Sequence, residues 1–135
     1  MMQCMSRTVL SSLTFLLLSA CASAGEHKSD LADSTWTFTA IDGADPVSDQ
    51  ARLSFEGKRL NANVGCNGMG GPWRIEGGRL IAGPFAQTQM YCEGAVWDQE
   101  KAVGALFSAA PKFKVEGDLM TIESSGHSAE LRRGS

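Results

Sequence analysis

Positive charge is scarce in this chain. Twelve Lys and Arg stand against 15 Asp and Glu, a net charge of −3. Neutralising phosphates needs the opposite excess, which excludes a basic nucleic-acid binder. No apolar run exceeds the ten residues from Val9 to Leu18, too short for a stable membrane-spanning helix. Histidine is limited to two residues, His27 and His127, so imidazole chemistry has little to build on. At 135 residues, 43% hydrophobic and 20% charged, the chain has room for one domain with a real core. That excludes a multi-domain enzyme, a coiled coil and a disordered tail.

What is present begins with an address. Arg7 followed by the Val9–Leu18 run reads as a secretory signal, whether translation starts at Met1 or Met5. Leu18-Ser19-Ala20-Cys21 resembles the lipobox of bacterial lipoproteins. That resemblance implies cleavage before Cys21, a diacylglycerol thioether on its thiol, and acylation of the new amino group. Several acyl chains anchor firmly, since each buried CH₂ contributes about 0.8 kcal/mol. Ala22 after the cysteine resembles outer-membrane sorting, giving a lipoprotein that faces the periplasm. Ala22-Ser23-Ala24 offers a competing A-x-A cleavage site that would release a soluble periplasmic protein. The expected organisation is therefore a signal over residues 1–20, a lipidated cysteine and tether over 21–34, and one domain over 35–135.

All 15 glycines lie beyond residue 20, and from Thr35 onward short β-type runs alternate with glycine turns. Trp36, Phe38 and Ala40 share one face of a first strand ending at Asp42-Gly43. Leu53 and Phe55 mark a second strand, and Leu60, Ala62 and Val64 a third. Trp73 and Ile75 lead into a Gly77-Gly78 hairpin, with Leu80 and Ala82 on the return. After Gly83-Pro84 the period changes: Val96, Val103, Phe107 and Ala110 recur at helical spacing, predicting a helix over Glu93–Ala110 stopped by Pro111. Strands over Phe113–Glu116, Leu119–Glu123 and Ser128–Arg132 complete the pattern. The predicted fold is α+β, a curved antiparallel sheet of about eight short strands wrapped around one helix.

Candidate chemistry is sparse. With Cys4 in the signal and Cys21 lipidated, Cys66 and Cys92 remain. Two thiols in an oxidising compartment most often form a bridge; free thiols, or a metal site with His127 as third ligand, are the alternatives. The metal option lacks the paired ligand spacing of structural zinc sites. A bridge over 26 residues would contribute about 3.5 kcal/mol in the chain-entropy picture. His127 reads as a surface-turn histidine, with no serine elbow or placed acid to make a triad. Asp98 and Glu100 point about 200° apart on a helix, so they cannot act on their own as a retaining carboxylate pair, and solvated positions are the expectation for both. The run Gly65–Gly71 lacks the Lys-Ser/Thr and helix start of a phosphate loop, and its glycines suit turns and close backbone approach.

Those residues also carry a resemblance. Trp36, the Gly65-Cys66-Asn67 run with Gly71 and Trp73, Thr88-x-Met90-x-Cys92 and Glu100 are similar to the META domain of HslJ-like proteins, over about residues 34–132. The family implies a small envelope lipoprotein linked to heat shock, stress response and antibiotic tolerance, with no enzymatic activity and no cofactor. The expected role is a non-catalytic, lipid-anchored binding module, monomeric, whose partner is an envelope protein or small molecule. A secretion-pilot or inhibitor that captures one specific partner is the alternative. Met69 and Tyr91, each beside a candidate bridge cysteine and outside the apolar periods, are the expected partner-binding pair.

Overall fold

The computed structural model describes residues 30–124 and 126–135. The signal, Cys21 and the tether as far as residue 29 lie outside the described residues. Among those described, nine strands and one helix follow in chain order. Strands β1 (Ser34–Ile41), β2 (Arg52–Glu56), β3 (Arg59–Asn63), β4 (Gly68–Glu76), β5 (Arg79–Ala82) and β6 (Ala86–Gln87) come first. Helix α1 (Ala95–Ser108) precedes β7 (Lys112–Glu116), β8 (Leu119–Ser124) and β9 (His127–Arg133).

The sheet is antiparallel and runs β3-β2-β1-β9-β8-β7-β5-β4, with β6 beyond β4. It does not stop at a curve. β3 also pairs with β4, from Arg59↔Pro72 to Asn63↔Gly68, and this closes eight strands into a barrel. Closure replaces two exposed sheet edges with paired backbone groups, which an open sheet of this width would leave to solvent. The weakest seam lies between β5 and β7. They share one residue pair, Arg79↔Lys112, and a bond from Leu80 N–H to the Pro111 carbonyl.

Alternation places one apolar set inside. Trp36, Leu53, Phe55, Leu60, Met120 and Leu131 are fully buried. Removing each such side chain from water contributes about 1.5–3 kcal/mol. On β1 the alternation breaks once. A register shift between Phe38 and Ala40 against β9 turns Ile41 inward in place of Ala40. Folded structure also starts ahead of residue 35: Leu31 is fully buried, and Ser34 opens β1. The Ser34 hydroxyl donates to the Leu31 carbonyl and accepts from Trp36 Nε1, which ties the incoming chain to the core.

Helix α1 is shorter than its apolar period implies. It begins after Gly94, whose φ of 71° no helix tolerates, and Ala110 at φ 49° already lies outside it. Pro111 disfavours helical backbone in the residue before it, which explains the early stop. Val103, Leu106 and Phe107 join the cluster that fills the barrel, and the helix packs against β1, β5, β8 and β9.

The glycine run is also not the loop that its composition suggests. Gly68, Gly70 and Gly71 lie within β4. At Gly71 a Cβ would stand 2.5 Å from the Pro84 carbonyl oxygen, so the bare backbone is what allows the 83–85 segment to cross β4.

Candidate functional site

Seven of the motif residues converge where the start of β4, the 88–92 segment and the first turns of α1 meet. Cys66 and Cys92 are joined in a disulfide, with Cα atoms 6.3 Å apart. That resolves the three alternatives in favour of the bridge. Gly65 turns into it at φ 133°, and a Cβ there would collide with Val96 Cγ2 at 2.8 Å, which accounts for glycine at this point.

Asn67 is the hub. Its Oδ1 accepts from Met90 N–H at 2.7 Å and from the Thr88 hydroxyl at 3.0 Å. Its Nδ2 donates to Glu100 Oε2 and to the Met90 carbonyl, both at 3.2 Å. Its backbone N–H donates to Glu100 Oε1 at 2.7 Å. Gly68 N–H in turn donates to Thr88 Oγ1 at 3.0 Å. The 88–92 segment makes one backbone bond to β4, from Thr88 N–H to the Gly68 carbonyl, and past it the one carboxamide satisfies the N–H and carbonyl of Met90.

Glu100 corrects an expectation. It is 2% exposed and faces inward, whereas Asp98 does lie in solvent, paired with Lys101 at 3.0 Å. The spacing contained the signal: residue 100 falls between Val96 and Val103 on the apolar stripe, four residues after one and three before the other. A carboxylate in that place is held by charge-assisted bonds from two N–H groups of Asn67 rather than by a cation.

Met69 is a second correction. It is 4% exposed, because strand alternation continues through the glycine run and turns it into the barrel opposite Ala62. Tyr91 is 87% exposed, so the two do not form a common surface. The exposed methionine is its sequence neighbour Met90, at 59%, and the aromatic that composition did not single out is Trp97, at 37%. Met90, Tyr91 and Trp97 line one groove of about 430 Å³, with Gln87, Thr88 and Gln89 as its polar members and Asn67 beneath. The Tyr91 hydroxyl donates to Glu93 at 2.9 Å, and the Lys101 ammonium lies 5.7 Å from the Trp97 ring centre. Trp97 could have been found from the sequence, since it precedes Asp98 on the first turn and lies off the Val96–Val103 stripe.

The remaining motif residues serve the core. Trp36 stacks under Arg133, 4.4 Å from its ring centre, and Trp73 packs edge-on to Phe55 at 4.9 Å. Trp73 Nε1 also donates to the Gly57 carbonyl.

His127 has a partner after all. Its Nδ1 lies 2.9 Å from Asp42 Oδ2, while Asp42 Oδ1 accepts Ser128 N–H at 2.9 Å. A turn residue 85 positions away supplies the acid, a pairing that only the β1–β9 register creates. Burial alone would raise the Asp42 pKa. The Ser128 N–H, the His127 hydrogen bond and the imidazole charge outweigh it and hold the carboxyl below its ordinary value of 3.8. Among the described residues no group of three or more His, Cys, Asp or Glu is placed to hold a metal ion.

A family model, the META domain, matches residues 29–134. Two solved structures share the fold. A protein from Burkholderia xenovorans, determined by NMR, superposes with a TM-score of 0.65 at 18% identity, covering 82% of this chain and 88% of its own. A second NMR structure gives 0.67 at 17% identity, covering 77% of this chain and 92% of its own. At such identities the likeness concerns the fold alone. No curated protein sequence matches the chain.

Proposed function

The chain belongs to the META domain family, and on that premise we propose that it is a non-catalytic binding module of the cell envelope. In this reading Cys21 carries the lipid anchor, the segment up to residue 30 is the tether, and the domain works in envelope maintenance under stress or antibiotic exposure.

One observation carries the proposal. Among the described residues, three of the four exposed large hydrophobic side chains, Met90, Tyr91 and Trp97, line the same groove. Exposed apolar groups that cluster mark binding surfaces, whereas scattered ones need no explanation. The hub residue Asn67 and the Cys66–Cys92 bridge underlie this groove, so its backbone is already ordered and association loses less entropy. Position supports it too. The tether joins the domain at the start of β1, and the Asp30 carbonyl is bound by Arg133 at the end of β9. Gln99 of α1 instead bonds Asp45 and Val47, just past the other end of β1. The ends of this eight-residue strand are about 23 Å apart. A groove so placed lies at the end of β1 opposite the one where the tether enters, which supports a surface left accessible beside an anchor.

The test is crosslinking in cells followed by co-purification of wild type, Cys21→Ser, and Tyr91→Ser combined with Trp97→Ser. The proposal expects fatty-acid labelling lost in Cys21→Ser and partner recovery lost in the double variant. Labelling that persists in Cys21→Ser would remove the anchor, and unchanged recovery in the double variant would remove the groove. A single stoichiometric protein would favour the secretion-pilot or inhibitor reading over general maintenance.

A further inference from the structure

We infer that this groove takes a neutral oligosaccharide, an inference that rests on the groove being the domain's binding site. Its volume of about 430 Å³ lies within the range of small-ligand clefts. None of the side chains lining it carries a formal charge, and the nearest charged groups, Glu93 on the Tyr91 hydroxyl and Lys101 at the Trp97 ring, are of opposite sign, so neither sign of ionic ligand is favoured there. Trp97 and Tyr91 offer flat apolar rings, the surface on which the C–H-rich face of a pyranose packs. Gln87 and Gln89 make no side-chain hydrogen bond to other described residues. A free carboxamide both donates and accepts, as sugar hydroxyls do, and leaving it unpaired beside an apolar ligand would be costly.

The same chemistry continues beyond the groove. Gln87 and Thr88 also line an adjoining trough of about 450 Å³ over β3 and β4. Gly68 and Gly70 leave part of its floor without side chains, and Asn61 and Arg59 border it. Their side chains lie so close over Gly70 that a Cβ there would come within 2.6 Å of Asn61 Oδ1 and 2.7 Å of Arg59 Nη2. Neither side chain has a hydrogen-bond partner among the described residues. An aromatic end leading into an amide-lined trough suits several linked sugar units rather than one.

Two other occupants fit less well. A peptide docking by strand addition needs a free sheet edge, and β6 offers two residues. An anionic membrane surface is disfavoured by the net charge of −3 and by the position of the groove opposite the tether.

The full chain in its natively processed form should be titrated with tetra-N-acetylchitotetraose, cellotetraose and maltotetraose, followed by NMR. We expect saturable binding of at least one, moving the Trp97 indole and the Gln87 and Gln89 amide signals while those of Trp36 and Trp73 stay still. Trp97→Ala should weaken that binding about tenfold without shifting the thermal midpoint. Absence of saturation with all three sugars, or binding that Trp97→Ala leaves intact, would overturn the inference. In either case, loss of crosslinked partner in the Tyr91→Ser, Trp97→Ser variant would keep the binding-module reading standing. Intact crosslinking together with no sugar binding would fell both.

Discussion

Two polar clasps hold this barrel's loops, and they differ in what surrounds them. The Asn67–Glu100 clasp is buried, with both residues about 2% exposed, and it joins three segments through one carboxamide. The Asp42–His127 clasp joins two segments with similar bond lengths, yet each side chain remains about one-third exposed. The bonds look alike; their energetic consequences do not. In the exposed clasp, water replaces whatever partner is lost, and such pairs contribute at most about 1 kcal/mol. In the buried clasp, a lost partner leaves a carboxylate or an N–H stranded, which is far more costly than the bond itself is favourable.

The largest expected effect sharpens this contrast from its covalent side. Replacing Cys66 and Cys92 together by Ala should lower unfolding free energy by about 3.5 kcal/mol, read from urea titration. A loss below about 1 kcal/mol would mean that the buried clasp alone fixes the 88–92 segment.

Next comes Asn67→Ala, which strands the Met90 N–H and halves the donors on Glu100, while the exposed Thr88 hydroxyl turns to water. We expect a loss of about 2–3 kcal/mol. Glu100→Gln should cost less, about 1–2 kcal/mol, because one oxygen still accepts the Asn67 backbone N–H while the new NH₂ faces the Asn67 Nδ2 donor. Equal stability of the two variants would contradict the hub role given to Asn67.

The exposed clasp should respond to pH instead. The folded Asp42 pKa is lowered, so its contribution is complete above the ordinary value of 3.8 and fades as pH falls through the folded value. Asp42→Asn should therefore lose under about 1 kcal/mol at neutral pH, and the gap to wild type should narrow below about pH 4. A gap that widens in acid would reverse the assignment. Smallest of all is Tyr91→Ser, for which thermal stability should hold to within about 0.5 kcal/mol.

The two clasps were unequally visible in the sequence. Strand positions followed alternation and turn glycines, so Leu53, Phe55, Leu60 and Leu80 faced inward as their spacing implied. Closure of the barrel was not visible, because pairing of β3 with β4 depends on twist accumulated around the whole sheet. The bulge that turned Ile41 inward, and the two-residue β6, also depend on neighbours rather than local pattern. Glu100 was misplaced because a charge outweighed its position on the apolar stripe. Met69 was misplaced because glycine-rich composition suggested a loop where strand alternation continued. Asn67 and Glu100 were marked by family resemblance, yet nothing in residue spacing showed that they touch. His127 and Asp42 are 85 residues apart, beyond any local signal.

Within the 88–92 segment, which has one backbone bond to β4 at Thr88 and the bridge at Cys92, the Met90 amide between them is held by the buried Asn67 side chain. Hydrogen exchange at the Met90 amide measures this directly, because that N–H has Asn67 Oδ1 as its partner although the Met90 side chain lies in solvent. The account predicts exchange as slow as in the β1 and β9 amides, accelerated toward loop rates in Asn67→Ala. Fast exchange at Met90 in the wild-type protein, comparable with Tyr91 or Gln89, would contradict it.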